Sequence, residues 1–158
     1  MASANTGAAV EVETRIAASP ETVFDFFIDP DRMIQWMGRS AELEPLPGGI
    51  FRCDINGRDV ASGEYVEVDR PRRVVFTWGW EGEDSVTEPG SSRVEILLEA
   101  EGDGTHLRLI HSELPSADAA ERHRHGWDHY AERLSVVAAG GDPGADPWAT
   151  PEAAGGTD

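Results

Sequence analysis

Five histidines are the side chains of this sequence best suited to proton transfer near neutral pH. They are His106, His111, His123, His125 and His129. Strand alternation and helix periodicity direct two of them, His111 and His123, toward the interior. An inward histidine such as His111 could orient a ligand or act as a general base, but buried histidines are more often hydrogen-bonded core residues. The sequence leaves both interpretations of His111 open.

The pair His125 and His129 has the spacing of a helical metal site. Residues four apart share one helix face, and this face of the predicted helix is exposed. Glu121 and Asp128 are near in sequence, yet neither completes an obvious third position at the matching turn. Two ligands fall short of the set that closes a zinc site. We therefore expect no metal ion and no other cofactor.

Covalent and phosphate chemistry find no support in the sequence. The Gly-x-Ser-x-Gly pattern of a nucleophile elbow is absent. Phosphate-loop and dinucleotide patterns are absent too, because the glycines fall in turns between predicted strands. The single cysteine, Cys53, lies in the middle of a predicted strand with an inward side chain, where a thiol is usually inert. We therefore assign no catalytic residue.

The elements that position these side chains follow from hydrophobic periodicity. Val10–Ala17 alternates apolar and polar residues, which predicts a half-buried strand. Ser19 and Pro20 begin a short helix, and Asp29 caps a second one that runs through Trp36. Period-two patterns between turn residues then predict six more strands. These cover about Ala41–Leu46, Ile50–Ile55, Val60–Val68, Arg73–Trp80, Ser92–Glu101 and Thr105–Glu113.

One long helix follows the strands. Ser116 can cap its N-terminus, and the apolar face continues to about Ala139, where Gly140 and Gly141 end it. A large antiparallel sheet has one face to bury, and this is the one long helix available to cover it. We therefore predict an α+β domain in which a seven-stranded curved antiparallel sheet surrounds the C-terminal helix, with two short helices after strand 1.

Composition divides the chain into three parts and limits its partners. Residues 10–140 are expected to form the domain, preceded by a flexible arm at 1–9 and followed by a mostly irregular tail at 141–158. Trp148 is a candidate anchor for the start of that tail. The net charge of −17 repels nucleic acid and anionic membranes, so neither is an expected partner. The oligomeric state stays open.

The expected location is the cytoplasm. A single cysteine allows no intrachain disulfide, which suits a reducing compartment. No apolar run approaches the roughly 18 residues needed to span a bilayer. The first nine residues lack the charged and apolar regions of a secretion signal.

Several local motifs, in this order, resemble one known family. They are Ser19-Pro20-Glu21-Thr22-Val23-Phe24, Asp29-Pro30 with Trp36, Pro47-Gly48-Gly49, Gly63-Glu64-Tyr65, Asp69-Arg70-Pro71, Val75-Phe76-Thr77-Trp78, Gly104-Thr105-His106-Leu107, His111-Ser112, and Gly126-Trp127 with Leu134. The chain is similar to homologues of the heat-shock-protein-90 ATPase activator, in the START-related, polyketide-cyclase-like helix-grip superfamily (SRPBCC). This resemblance covers about residues 10–139.

The resemblance implies a helix-grip fold with a deep cavity between sheet and helix. Superfamily members bind lipids, steroids, hormones or polyketides, and a minority catalyse cyclisation, dehydration or hydrolysis there. We accordingly expect a non-catalytic protein that holds a small, apolar, planar molecule. The alternative is a cyclase- or hydrolase-type enzyme acting in the same cavity. A chaperone ATPase co-factor is the third hypothesis, although one domain offers no second module to bridge chaperone subunits.

We expect the cavity at the end of the domain that is rich in tryptophan. The ligand-binding candidates are Trp36, Phe51, Trp78, Trp80, His111, His123, Trp127 and Tyr130. Their spacing puts them on facing surfaces of sheet and helix, and Gly126 leaves room between the two. Glu64 and Glu113 are the carboxylates expected near the cavity mouth, and they form no acid–base pair. The competing interpretation is that these aromatic groups simply pack together as core.

Overall fold

The computed structural model describes residues 8–82 and 85–148. Most of the expected N-terminal arm, residues 1–7, lies outside the described residues, as does the end of the tail, residues 149–158. Within the described ranges, no helix has both the length and the apolar character that a membrane span needs. The chain contributes seven strands and three helices to these ranges.

The seven strands form one antiparallel sheet, which confirms the predicted fold. Their order across the sheet is β1-β7-β6-β5-β4-β3-β2, so that the first strand closes against the last. The bounds are β1 Ala8–Ile16, β2 Ser40–Leu43, β3 Ile50–Asp54, β4 Val60–Asp69, β5 Arg73–Trp78, β6 Ser92–Glu101 and β7 Gly104–Leu114. Strands β2 to β7 follow one another as an antiparallel meander, joined by short connections except for the longer loop 79–91 between β5 and β6.

Strand β5 ends two residues earlier than the sequence predicted, and this shapes the site. After Trp78 the chain leaves the ladder with β6 and pairs instead with its own loop. The backbone N–H of Trp80 donates to the carbonyl of Thr87 at 2.7 Å, and Trp80 keeps only an isolated bridge to Ala61. A side chain on Gly79 would collide with the backbone of Glu88, so the close approach of loop and strand requires glycine here.

The three helices begin at the predicted caps. Helix α1 spans Pro20–Ile28, helix α2 spans Pro30–Met33 and helix α3 spans Ala117–Ala138. The side chains of Ser19, Asp29 and Ser116 accept from backbone N–H groups of the first turns at 3.2, 2.9 and 3.1 Å. The prediction that the second helix runs through Trp36 was wrong, because α2 closes after one turn and residues 34–36 form turns.

Helix α3 packs against the inward face of the sheet, and together they form the core. Its buried residues face the sheet and include Trp127, Tyr130 and Leu134. The inward residues of β3 to β7 form the opposite wall, with Phe51, Phe76 and many aliphatic side chains fully enclosed. The two short helices close the remaining side, since Phe24, Phe27 and Met33 join the same core.

Candidate functional site

A cavity of about 730 Å³ opens between helix α3 and the loops that follow β3 and β5. Four kinds of segment line it: the end of the segment after α2, the loop between β3 and β4, the end of β5 with its loop, and one face of α3 with the start of the tail. The lining residues are Met37, Ile55, Asn56, Arg58, Asp59, Trp78, Trp80, Glu81, Gly82, Ser85, Val86, Thr87, Ala119, Arg122, His123, Gly126, Trp127, Tyr130 and Trp148.

The structure places five of the eight candidate residues on the cavity wall. These five are Trp78, Trp80, His123, Trp127 and Tyr130. The other three, Trp36, Phe51 and His111, are completely enclosed in the layer behind the wall. Alternation along a strand determines which face a side chain occupies, but it does not determine its depth beneath that face.

The three deeper residues have the contacts of core residues. Phe51 stacks on Phe76 with ring centroids 4.0 Å apart. The indole N–H of Trp36 donates to the carbonyl of Phe26 at 3.1 Å, and its ring meets the edge of Phe27. Trp36 and Phe51 were expected to contact the ligand directly, whereas in the structure they lie behind the cavity wall.

Both ring nitrogens of His111 form hydrogen bonds within the protein. The indole N–H of Trp127 can only donate, so Nδ1 of His111 accepts at 2.9 Å and Nε2 carries the proton. Nε2–H donates to Oγ of Ser92 at 2.8 Å, and that hydroxyl donates to the carbonyl of Trp78 at 2.8 Å. Burial, with His123 nearby, lowers the pKa of His111 from 6.5 to about 2. His111 is thus neutral, and neither nitrogen is free to act as a base.

His123 is neutral for similar reasons and faces the cavity. Its Nδ1–H donates to the carbonyl of Ala119 at 2.7 Å, which leaves Nε2 to accept from the indole N–H of Trp80 at 3.0 Å. Burial lowers the pKa of His123, and the positive charge of Arg122 acts in the same direction against the opposing effect of the Ala119 bond. Each inward histidine therefore serves as the acceptor for one tryptophan of the wall.

Two buried polar atoms of the wall residues make no hydrogen bond of standard geometry within residues 8–82 and 85–148. Trp78 is 3% exposed, and its buried Nε1–H has no acceptor in these ranges. The hydroxyl of Tyr130 is also buried, with the carboxylate of Asp146 beside it outside standard hydrogen-bond geometry. Burial raises the pKa of Tyr130, and the nearby carboxylate of Asp146 raises it further. A buried unpaired donor costs about 1–3 kcal/mol, so both atoms call for an explanation.

The mouth of the cavity carries charges from loops that strand and helix patterns do not predict. Asp59 and Glu81 are its carboxylates, and Arg58 and Arg122 its cations. Glu81 is held by Arg52 through two hydrogen bonds of 2.8 and 3.1 Å, which lower the pKa of Glu81.

The two carboxylates that the sequence analysis expected at the mouth lie elsewhere. Neither Glu64 nor Glu113 lines the cavity. Both are exposed on strands, Glu64 on β4 and Glu113 on β7. The turn residues Asn56-Gly57 can be recognised in the sequence. The turn pattern does not indicate, however, that Arg58 and Asp59 after them border a cavity.

The start of the tail packs against two histidines of α3, of which His125 is exposed and His129 is half-buried. Trp148 stacks on His129 with centroids 3.8 Å apart and lies 5.4 Å from the ring of His125. Across residues 8–82 and 85–148, no group of three or more histidine, cysteine or acidic side chains is arranged to hold a metal ion.

Comparison with known proteins gives consistent matches. A family model described as Activator of Hsp90 ATPase homolog 1-like protein matches residues 17–139. An AHSA1-like protein from Rhizobium etli is 46% identical over 90% of this chain and 88% of that chain, with a TM-score of 0.71. CalU16 from Micromonospora echinospora is 27% identical over 84% of this chain and 76% of that chain, with a TM-score of 0.68.

A more distant match shows the fold alone. An HSP90 activator from Plasmodium falciparum is 22% identical over 82% of this chain and 94% of that chain, with a TM-score of 0.67. A search of the curated proteins found no match to this chain.

Proposed function

Because the chain belongs to the family of Activator of Hsp90 ATPase homolog 1-like proteins, we propose that it binds a planar, mainly apolar small molecule in the cavity beside α3. The observation that carries this proposal is the aromatic wall. Trp78, Trp80, Trp127, Tyr130 and Trp148 all border one cavity of about 730 Å³. That volume lies within the range of small-molecule sites, and rigid aromatic walls hold planar ligands at low cost in conformational entropy.

The absence of a side chain at one position of α3 supports a ligand site over a filled core. Gly126 lies in the middle of the helix and borders the cavity, and a Cβ atom there would meet nothing within 4 Å. Alanine would favour the helix by about 1 kcal/mol at such a position. A glycine that weakens the helix while keeping its cavity face open is consistent with selection for space.

The unpaired indole of Trp78 suggests what polar group the ligand carries. The N–H groups of Trp36, Trp80 and Trp127 all have acceptors, whereas the buried N–H of Trp78 has none in the part of the chain that the structure describes. This nitrogen is buried, so a ligand oxygen would reach it only after the indole of Trp78 shifts toward the cavity, and the new bond would remove the cost of leaving the N–H unpaired. We therefore expect the preferred ligand to have a hydrogen-bond acceptor, such as a ketone oxygen, on an otherwise apolar ring system.

A catalytic role for the same cavity has less support from its geometry. Both nitrogens of His111 and of His123 are engaged within the protein. Glu81 is paired with Arg52. A general base must reach a proton of the substrate, and each of these groups would first have to give up a hydrogen bond.

The binding proposal can be tested with two planar probes of nearly the same shape. Fluorenone has a ketone oxygen where fluorene has a methylene group. We expect fluorenone to quench the tryptophan emission of the protein in a saturable manner. Gly126→Phe places a bulky ring in the cavity between α3 and the aromatic wall and should abolish saturation, whereas the matched control Gly126→Ala should keep it. Equal binding by the phenylalanine variant, or no saturable binding by the unmodified chain, would contradict the proposal.

The polar contact has a separate test in Trp78→Phe, which keeps an aromatic ring but removes the N–H. The unmodified chain should bind fluorenone about 5- to 10-fold more tightly than fluorene, the factor expected for one buried hydrogen bond. In Trp78→Phe that preference should disappear. Trp80→Phe is the control, because the N–H of Trp80 already bonds His123. If Trp78→Phe keeps the preference for fluorenone, Trp78 does not donate to the ligand.

A further inference from the structure

The family match ends at residue 139, but the cavity wall does not. After α3 the chain turns back along the helix, and we call residues 143–148 the strap. Arg133 of α3 fixes its first half: Nη1 donates to the carbonyl of Pro143 at 3.3 Å and Nη2 to that of Gly144 at 3.0 Å. Its Nε donates to the carbonyl of Trp36 at 3.1 Å. One guanidinium thus ties the strap to the segment after α2.

The second half of the strap is fixed by a buried carboxylate. The side chain of Asp146 is 6% exposed. Its Oδ1 accepts from Nε2 of His129 at 3.0 Å and from the backbone N–H of Trp148 at 2.9 Å. Burying a carboxylate is costly unless it is hydrogen-bonded, and the two bonds to Oδ1 hold the strap against α3. The other oxygen, Oδ2, is buried near the hydroxyl of Tyr130 without a hydrogen bond of standard geometry in the described residues.

This position brings Trp148 to the cavity. The indole stacks on His129 at 24° between ring planes, and its centroid lies 5.7 Å from that of Tyr130, with the rings nearly perpendicular. Trp148 therefore extends the aromatic wall beyond Tyr130.

We propose that the strap is part of the ligand site, with Trp148 as a ligand-contacting, specificity-determining residue and with Asp146 and Arg133 as positioning residues. The proposal rests on the proposed binding function and concerns the same cavity. It assigns part of the ligand selectivity to residues beyond the matched family region. A planar ligand held between Trp127 and the strap would lose one aromatic wall if the strap were released.

Full-length variants test the proposal with fluorenone as the probe. Trp148→Ala should weaken fluorenone binding about 5- to 10-fold, the loss expected for one aromatic wall. Trp148→Phe should restore most of it. Asp146→Ala should weaken binding as Trp148→Ala does. Asp142→Ala is its matched control, since this exposed carboxylate lies just before the strap and accepts a local hydrogen bond from the backbone N–H of Gly144, and it should bind like the unmodified chain.

Positioning by Asp146 has a spectroscopic readout that needs no ligand. The readout is the fluorine NMR spectrum of protein labelled with fluorotryptophan. The signal of Trp148 can be assigned because it is lost in Trp148→Phe. Asp146→Ala should shift that resonance, whereas Asp142→Ala should leave it in place. Asp146→Asn keeps an oxygen that can accept the same two N–H groups and should restore both the shift and the affinity.

The outcomes separate the two proposals. Unchanged fluorenone affinity in Trp148→Ala, with saturable binding by the unmodified chain, would overturn the role of the strap and leave the binding function intact. An unshifted Trp148 resonance in Asp146→Ala would overturn the positioning role of Asp146. Failure of the unmodified chain to bind fluorenone would overturn the binding proposal itself, and the strap proposal with it.

Discussion

Two tryptophans of the cavity wall permit a direct test of how a paired and an unpaired indole N–H affect the stability of the protein. Trp78 and Trp127 are each 3% exposed and lie 5.0 Å apart between ring centroids. Replacing either with phenylalanine removes a similar volume from the same region. The two changes differ in one respect, because the N–H of Trp127 donates to His111, whereas the N–H of Trp78 has no acceptor among the described residues. We predict that Trp127→Phe destabilises the protein much more than Trp78→Phe.

The size of the difference follows from those hydrogen bonds. Trp127→Phe leaves Nδ1 of His111 buried without a donor, which costs about 1–3 kcal/mol. Trp78→Phe removes a buried donor that is already unpaired, which relieves a cost of about 1–3 kcal/mol. The packing losses are similar and cancel in the comparison. Even the two lower bounds together put the free energies of unfolding of the two variants about 2 kcal/mol apart.

Urea unfolding followed by far-ultraviolet circular dichroism measures this difference without depending on tryptophan emission. The slope of the free energy of unfolding against urea concentration should be the same for both variants. The unfolding midpoints alone then report the change in stability. Equal stabilities would show that the N–H of Trp78 is already satisfied, for example by the face of a neighbouring ring. If Trp78→Phe is less stable than Trp127→Phe, the assignment of an unpaired N–H to Trp78 and a paired one to Trp127 is refuted.

Three other predictions concern pH, backbone packing and thiol reactivity. The lowered pKa values of His111 and His123 mean that the unfolded chain binds protons below about pH 6.5 while the folded chain does not, so stability is full above that pH and falls as the pH falls. From about pH 7.5 to 5.5, His111 should account for a loss of about 1.4 kcal/mol in the free energy of unfolding, and His111→Gln should reduce the slope. Gly79→Ala should cost about 1–3 kcal/mol in urea unfolding, because its methyl group would push the loop at Glu88 off the sheet. Burial raises the pKa of Cys53 to about 12, so iodoacetamide should label the unfolded protein but not the native one, and rapid native labelling would contradict the observed burial.

Most of the fold could be predicted because its determinants are local and periodic. Alternation gave the strands, and Ser19, Asp29 and Ser116 gave the helix starts that the structure shows. One long helix and one large apolar sheet face left a single sensible arrangement. Helix and strand ends were less predictable, since the end of β5 depends on a distant loop that competes for the backbone of Trp80.

The site could be predicted where it lies on regular elements or, like Trp80, directly next to one. Trp78 and Trp127 stand on a strand and a helix, and periodicity directed both inward. Asp59, Glu81 and Trp148 lie in loops or the tail, where no repeat connects sequence position with direction in space. Trp148 could be suspected as an anchor from composition alone, but its place on the cavity wall depends on contacts with Asp146 and His129.

The two inward histidines are best understood as supports for the aromatic wall. Each accepts one indole N–H, and each uses its other nitrogen within the protein, so the planes of Trp80 and Trp127 are fixed before any ligand arrives. A wall that is already ordered loses little side-chain entropy on binding, which favours affinity for a rigid planar molecule. The same bonds would have to break before either histidine could take a proton from a substrate. Preorganisation and general-base catalysis therefore place opposite demands on these residues, and the observed hydrogen bonds satisfy the first.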